Sequence, residues 1–271
     1  MATALPTGLA PSGLRSTWAS VRLSVLQFLA DPQWLIPSMI APVIFGIVSF
    51  ELVVGSGPYY LVYAILGAGM MSMWGQTLYG SGWATGQDRE YGTLEPTIQA
   101  PSPYLYVVLG RVLWNVISGL IGGGIVYLVV VAAAGELPTL DNPLLFAGLF
   151  VFVMFTLASV GIVLAAFYVY TRYAGFIQNI GEFAFYVGTG CMFPVIFLPW
   201  WTNPVSLVFP PTWALDALRY ASIPGYQGFG WGFGVDLAGA AGTTAVYLIL
   251  AHQVFRRVER HVLEVGNLSE Y

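Results

Sequence analysis

Few side chains in this sequence could do chemistry, and they cluster in three places. Glu182 stands in an apolar stretch with Gln178 and Asn179 four and three positions before it, which puts the three on one helical face. An ionisable residue so placed either faces a cavity and meets a cationic or hydroxyl-bearing ligand, or hydrogen-bonds to a neighbouring helix. Gln76, with Ser72 and Ser81, gives an earlier apolar stretch a second polar surface, beside Met70, Met71 and Met73, which can adapt to varied apolar ligands. Asp88, Arg89, Glu90 and Glu95 are the dense charge of the first half of the chain, and Gly92 and Pro96 limit any helix there to short pieces. That segment is either a contact surface for another protein or a solvated loop. Asp216 and Arg219, three apart, can pair on one face of a short helix.

No Ser/His/Asp set and no paired carboxylates in an apolar pocket can be assembled from these residues, so catalysis within the chain is not expected. His252 and His261 lack metal-ligand spacing and Cys191 is the single cysteine, which leaves no metal site or internal disulfide to expect. Nine arginines, no lysine and 13 acidic residues give a net charge of −4 and no basic surface for a phosphate backbone. Without a lysine the chain cannot form a Gly-Xaa4-Gly-Lys-Ser/Thr phosphate loop.

The elements that must position these residues follow from where charge is missing. Only 8% of the 271 residues are charged, 57% are hydrophobic and the mean hydropathy is +0.74. Six charge-free runs, 32–50, 52–87, 112–135, 142–171, 183–215 and 237–255, can each hold a bilayer-crossing helix. The expected fold is an all-α integral membrane protein with spans near 34–54, 59–84, 105–134, 144–170, 175–198 and 231–254. A cytoplasmic N-terminal segment 1–33 precedes this six-span unit (34–254), and a cytoplasmic tail 255–271 follows it. With the N-terminus inside, eight arginines fall on or beside cytoplasmic segments and only Arg219 falls outside, so both termini are expected in the cytoplasm. No basic start leads into a short apolar core, and the first span is expected to do the targeting.

Before the first span, Trp18, Val21, Val25, Phe28 and Leu29 share a face opposite Ser16, Ser20, Arg22, Ser24 and Gln27, the pattern of an amphipathic interfacial helix. Asp31-Pro32 breaks that helix, and Pro37 and Pro42 predict kinks in the first span. After the fifth span, Phe193-Pro194, Pro199-Trp200-Trp201, Asn203-Pro204 and Pro210-Pro211 point to short re-entrant or interfacial helices on the outer side. Gly119 with Gly123, and Gly82 with Gly86, allow close helix approach, whether inside the chain or in a dimer.

Four stretches resemble the permease subunits of type 2 ABC exporters, the six-span family that includes antibiotic, drug, polysaccharide and teichoic-acid exporters. They are Asp31-Pro32 with Pro42 and Gly46; Arg89-Glu90-Tyr91-Gly92-Thr93-Leu94-Glu95 with Pro101 and Leu109-Gly110-Arg111; Phe193-Pro194 with Pro199, Asn203-Pro204 and Ala217-Leu218-Arg219; and Arg256-Arg257 with Gly266-Asn267-Leu268. The resemblance implies that the segment from Arg89 to Glu95 is a coupling helix docking into an ATP-binding subunit, with Arg89, Glu90 and Glu95 as docking residues. Pro96 directly after Glu95 predicts that this helix ends early. ATP and magnesium would be bound by that partner, with no cofactor in this chain.

A second permease copy or paralogue would complete the pathway in a bacterial plasma membrane, exporting an amphipathic or lipid-linked cargo such as a drug, antibiotic or glycan. Gln76, Gln178, Asn179 and Glu182 are the pathway candidates, and an antibiotic-resistance role belongs to the same expectation. The alternatives are a self-contained secondary carrier or channel using Glu182, and a membrane-embedded enzyme. The halves 1–135 and 136–271 show no internal similarity of the kind many carriers have.

Overall fold

The structure is a computed structural model, and it describes residues 13–170, 182, 184–192 and 194–265. All regular structure among the described residues is helical. Helix α1 (Gly13–Ala30) ends at Asp31, whose side chain accepts a hydrogen bond from the Gln33 N–H at 2.9 Å and so caps α2 (Pro32–Val53). Pro32 at the first position costs no helical hydrogen bond, and α2 continues without interruption through Pro37 and Pro42. Helix α3 (Tyr60–Glu90) follows, then the five-residue α4 (Leu94–Ile98), α5 (Tyr104–Ala134) and α6 (Pro143–Tyr170). Gly135, at φ +71°, closes α5 in the left-handed conformation that glycine adopts without steric cost.

The first part of the expected fifth span, 175–181, and positions 183 and 193 lie outside the described residues. Its described end departs from expectation, because helix persists over 184–188 and then stops at a turn containing Gly190 at φ +72°. From Pro194 the chain forms single 3-10 turns at Val195–Phe197 and Trp200–Thr202, the four-residue α7 (Asn203–Ser206) and α8 (Pro210–Ser222). Prolines at 194, 199, 204, 210 and 211 start these short pieces and prevent one continuous helix. The last helix, α9 (Phe233–Val265), continues well past the expected end of its span at 254.

Helices α2, α5, α6 (to Val169) and α9 (to Arg257) are long and apolar enough to cross a membrane. The chain is therefore an integral membrane protein. Helix α3 has the length, but Ser72, Gln76, Thr77, Ser81 and Thr85 make its second half more polar. Helices α2, α5 and α6 pack around it. Gly119 of α5 sits against the Met73 backbone, where an added Cβ would lie 3.1 Å from its Cα, and Gly123 faces Gly69 and Met73. The Gly119–Gly123 pair therefore serves close packing inside the chain.

Two apolar centres fix the ends of the bundle. At one, Leu94 and Ile98 of α4 pack with Tyr104, Val108, Ala166 and Phe255. At the other, Leu215 and Leu218 of α8 join Val62, Leu66, Leu149 and Trp74, whose ring stacks on Phe185 at 5.7 Å. The face expected on α1 is divided: Val21 and Phe28 are buried against α5, while Trp18 and Leu29 are exposed together with Leu14 and Leu26. Ser20, expected on the polar face, is buried and donates to the Val107 carbonyl at 2.7 Å. Helix α1 is thus tied to α5 by one face and keeps a second, partly apolar face open.

Candidate functional site

The structure brings Gln76 and Glu182, 106 positions apart in the sequence, into one cavity of about 330 Å³ between α2, α3 and the segment at 182–186. Pro37, Ser38, Pro42 and Tyr186 complete the part of its wall that matters here. The Tyr186 hydroxyl donates to Glu182 Oε1 at 2.6 Å, and Gly75 leaves room for it, since an added Cβ would lie 2.9 Å from that hydroxyl. Gln76 accepts a hydrogen bond from Ser118 at 3.3 Å through its Oε1. Its position halfway along α3 sets the cavity at mid-height of the bundle. A largely apolar chamber with the Glu182 carboxyl, the Gln76 amide and the hydroxyls of Ser38, Ser72 and Tyr186 holds an amphipathic molecule by its hydrocarbon and orients it by a few polar contacts. Gln178 and Asn179 lie outside the described residues.

The charged segment is built differently from a solvated loop. Helix α3 runs to Glu90 and so carries Asp88 and Arg89 within its last turn, beyond the expected end of the span at 84. Asp88 is buried and pairs with the buried Arg111 of α5 at 2.5 Å. The Thr93 N–H donates to the Asp88 carbonyl at 2.8 Å, and Gly92 at φ +66° turns the chain between them. Arg89 points inward and donates to the Val169 carbonyl at the end of α6. Leu94 is buried, Glu95 half-buried, and Glu90, Tyr91, Gly92 and Thr93 are exposed. Pro96 does not end α4; it falls in the first turn, where its missing N–H has no helical partner to lose, and the helix runs on to Ile98.

At the opposite end, Asp216 and Arg219 do not form the expected pair. Arg219 donates to the carbonyls of Gly190 at 2.6 Å and Cys191 at 3.3 Å, groups left open where the helix at 184–188 ends. Asp216 accepts from the Tyr226 hydroxyl at 2.6 Å and the Phe229 N–H at 3.1 Å. Buried backbone groups compete for both side chains and win, because leaving them unmet costs more than separating two residues on one helix. Burial raises the Tyr226 hydroxyl well above its usual range, and the neighbouring Asp216 charge adds to this.

Two features escaped the sequence reading. The Asp88–Arg111 pair joins residues 23 positions apart, and the available signal was the opposite charges at the facing ends of consecutive spans. Asp236, fully buried in the first turn of α9, was the acid bordering the last apolar run. No group of three or more His, Cys, Asp or Glu that could hold a metal occurs among the described residues.

Compared with known families, the chain matches the family model described as ABC-2 type transporter over residues 15–223, a stretch that begins in α1 and ends just after α8. No curated protein matches the chain.

Proposed function

This chain belongs to the ABC-2 type transporter family as a membrane permease component, and we propose that it forms, as a dimer, the export pathway for an amphipathic or lipid-linked cargo. The observation that carries this reading is the mid-height cavity, in which Gln76, Glu182 and Tyr186 supply polar contacts within apolar walls. The second permease copy or paralogue would face α2, whose Ile36, Ile40 and Ile44 are 55%, 51% and 52% exposed along one ridge beside that cavity. Six spans are proposed, with α3 and the partly described fifth segment joining the four apolar helices. The prolyl segment around α7 and α8 re-enters the membrane from the outer side.

Coupling is assigned to α4 and the turn before it. Glu90 and Tyr91 stand exposed for contact with a separate ATP-binding subunit that binds ATP and magnesium and performs hydrolysis. Behind them, Asp88–Arg111, Arg89 and buried Leu94 tie the segment to α5 and α6, so that a push on α4 is delivered to the spans instead of being absorbed by a loose loop. The arginine distribution supports an orientation with both termini in the cytoplasm, and the family resemblance implies a bacterial plasma membrane.

The test is reconstitution with an ATP-binding-cassette subunit that copurifies with this chain. Together they should hydrolyse ATP and respond to an amphipathic cargo, and Glu182→Gln should change the cargo response while leaving assembly intact. Cargo movement by the chain alone, driven by a proton gradient, would replace this reading with a secondary carrier using Glu182.

A further inference from the structure

Asp236 is fully buried, and neither of its carboxyl oxygens meets a hydrogen-bond donor among the described residues. Trp213 of α8 lies against Gly239 of α9 and Tyr220 against Phe233, so Asp216, between Trp213 and Tyr220, stands opposite Asp236. Asp216 is held in place by the Tyr226 hydroxyl and the Phe229 N–H, and the loop can close over it because residue 228 is glycine at φ +53°, where any side chain would collide with the carboxylate. Two carboxyls in contact and out of water cannot both be ionised without a cation between them. The nearby cation is Arg219, one turn along α8, and its guanidinium is directed to the carbonyls of Gly190 and Cys191. One positive charge balances one carboxylate, and the hydrogen bonds identify that carboxylate as Asp216.

Among the described residues the remaining surroundings supply no second positive charge. Tyr220 of α8 and Tyr226 of the following loop are neutral hydroxyls, Tyr63 of α3 is another, and α6, which also packs on α8, has no charged side chain. The N-terminus of α9 favours an anion, but no backbone N–H of that turn reaches the Asp236 carboxyl, so burial outweighs the dipole. We propose that Asp236 and Asp216 share one proton, held on Asp236 and donated to Asp216, and that this proton latches α8 to the first turn of α9. Release of the proton to solvent leaves two facing carboxylates, whose repulsion parts the two helices at the end of the bundle opposite α4. The latch is independent of the cargo assignment, because it rests on contacts outside the mid-height cavity.

The experiment uses the full chain in lipid nanodiscs, with aspartate carboxyls labelled with carbon-13, studied by infrared spectroscopy across a pH series. At neutral pH a protonated-carboxyl stretch that shifts with the label is expected, and it should be lost as pH rises further; the unfolding temperature should fall as pH rises from the ordinary carboxylate range to the pH at which the band is lost, and level off above it. This sign follows because the folded chain holds a proton that the unfolded chain gives up. Asp236→Asn should remove both the band and the pH dependence. Where that variant does not accumulate, Asp216→Asn should move the pH at which the band disappears. A wild-type chain with no labelled acid band at neutral pH, a band that survives in Asp236→Asn, or a midpoint unmoved in Asp216→Asn overturns the proposal.

Discussion

Glu182 and Tyr186, one helical turn apart and joined at 2.6 Å, put a carboxyl and a hydroxyl into a largely apolar chamber, so a small side-chain change alters what the chamber accepts. Tyr186→Phe removes the donor to Glu182, and the expected outcome is a changed cargo preference with unchanged copurification of the ATP-binding subunit, checked by cargo-stimulated ATPase. Asp88 and Arg111 set a different expectation. Removing one partner of a buried ion pair leaves the other charge uncompensated and costs about 3–5 kcal/mol. Asp88→Ala should therefore lower the unfolding temperature in detergent markedly, and the swap Asp88→Arg with Arg111→Asp should recover part of the loss. Equal stability of Asp88→Ala and wild type would show that the pair carries no structural role. The exposed Glu90 carries the opposite expectation: Glu90→Arg should leave folding unaffected and weaken assembly with the ATP-binding subunit by a factor on the order of 30. Normal copurification would move the docking role to another residue.

At the scale of elements, α1 and α5 behave as one unit. Ser20 bonds the Val107 carbonyl, Ser102 donates to Ser16 at 2.8 Å, Phe28 meets Trp114 edge-on at 5.5 Å, and Gly110 lets the α1 backbone approach at Thr17. A side chain at 110 would run into the Thr17 carbonyl and the Ser20 side chain, and such overpacking costs about 1–3 kcal/mol. Gly110→Val should release α1, read as faster proteolysis within residues 13–30 at unchanged overall helicity. Ser20 of α1 is legible as polar, but it lies buried against α5 and not on an open polar face. Periodicity separates polar from apolar faces; it cannot say that a serine face will be buried on another helix whose carbonyl needs a donor.

For the whole molecule, the proposed topology makes the two ends of the bundle chemically distinguishable. Cysteines at Gly57, Glu136 and Trp201, all exposed at one end, should react with an impermeant thiol reagent on intact cells, whereas one at Tyr91, exposed beside α4, should react only after lysis. External reaction at Tyr91 would invert the orientation and remove the basis for ATP-driven coupling through α4.

The sequence by itself determined the membrane class, the places of the four apolar helices to within a few residues apart from the C-terminal end of α9, and the family pattern from Asp31 to Arg219. The physical reason is that hydrocarbon admits few charges, so missing charge marks a helix whatever it packs against. Tertiary structure decided the rest, because those outcomes depend on which groups meet. It extended α3 to Glu90, where Asp88 could be neutralised by Arg111. It also separated Asp216 from Arg219, since each found backbone partners that local spacing cannot reveal. Only the packed bundle joined Gln76 to Glu182 in one chamber and set Asp236 against Asp216, because burial and contact are properties of neighbours remote in sequence.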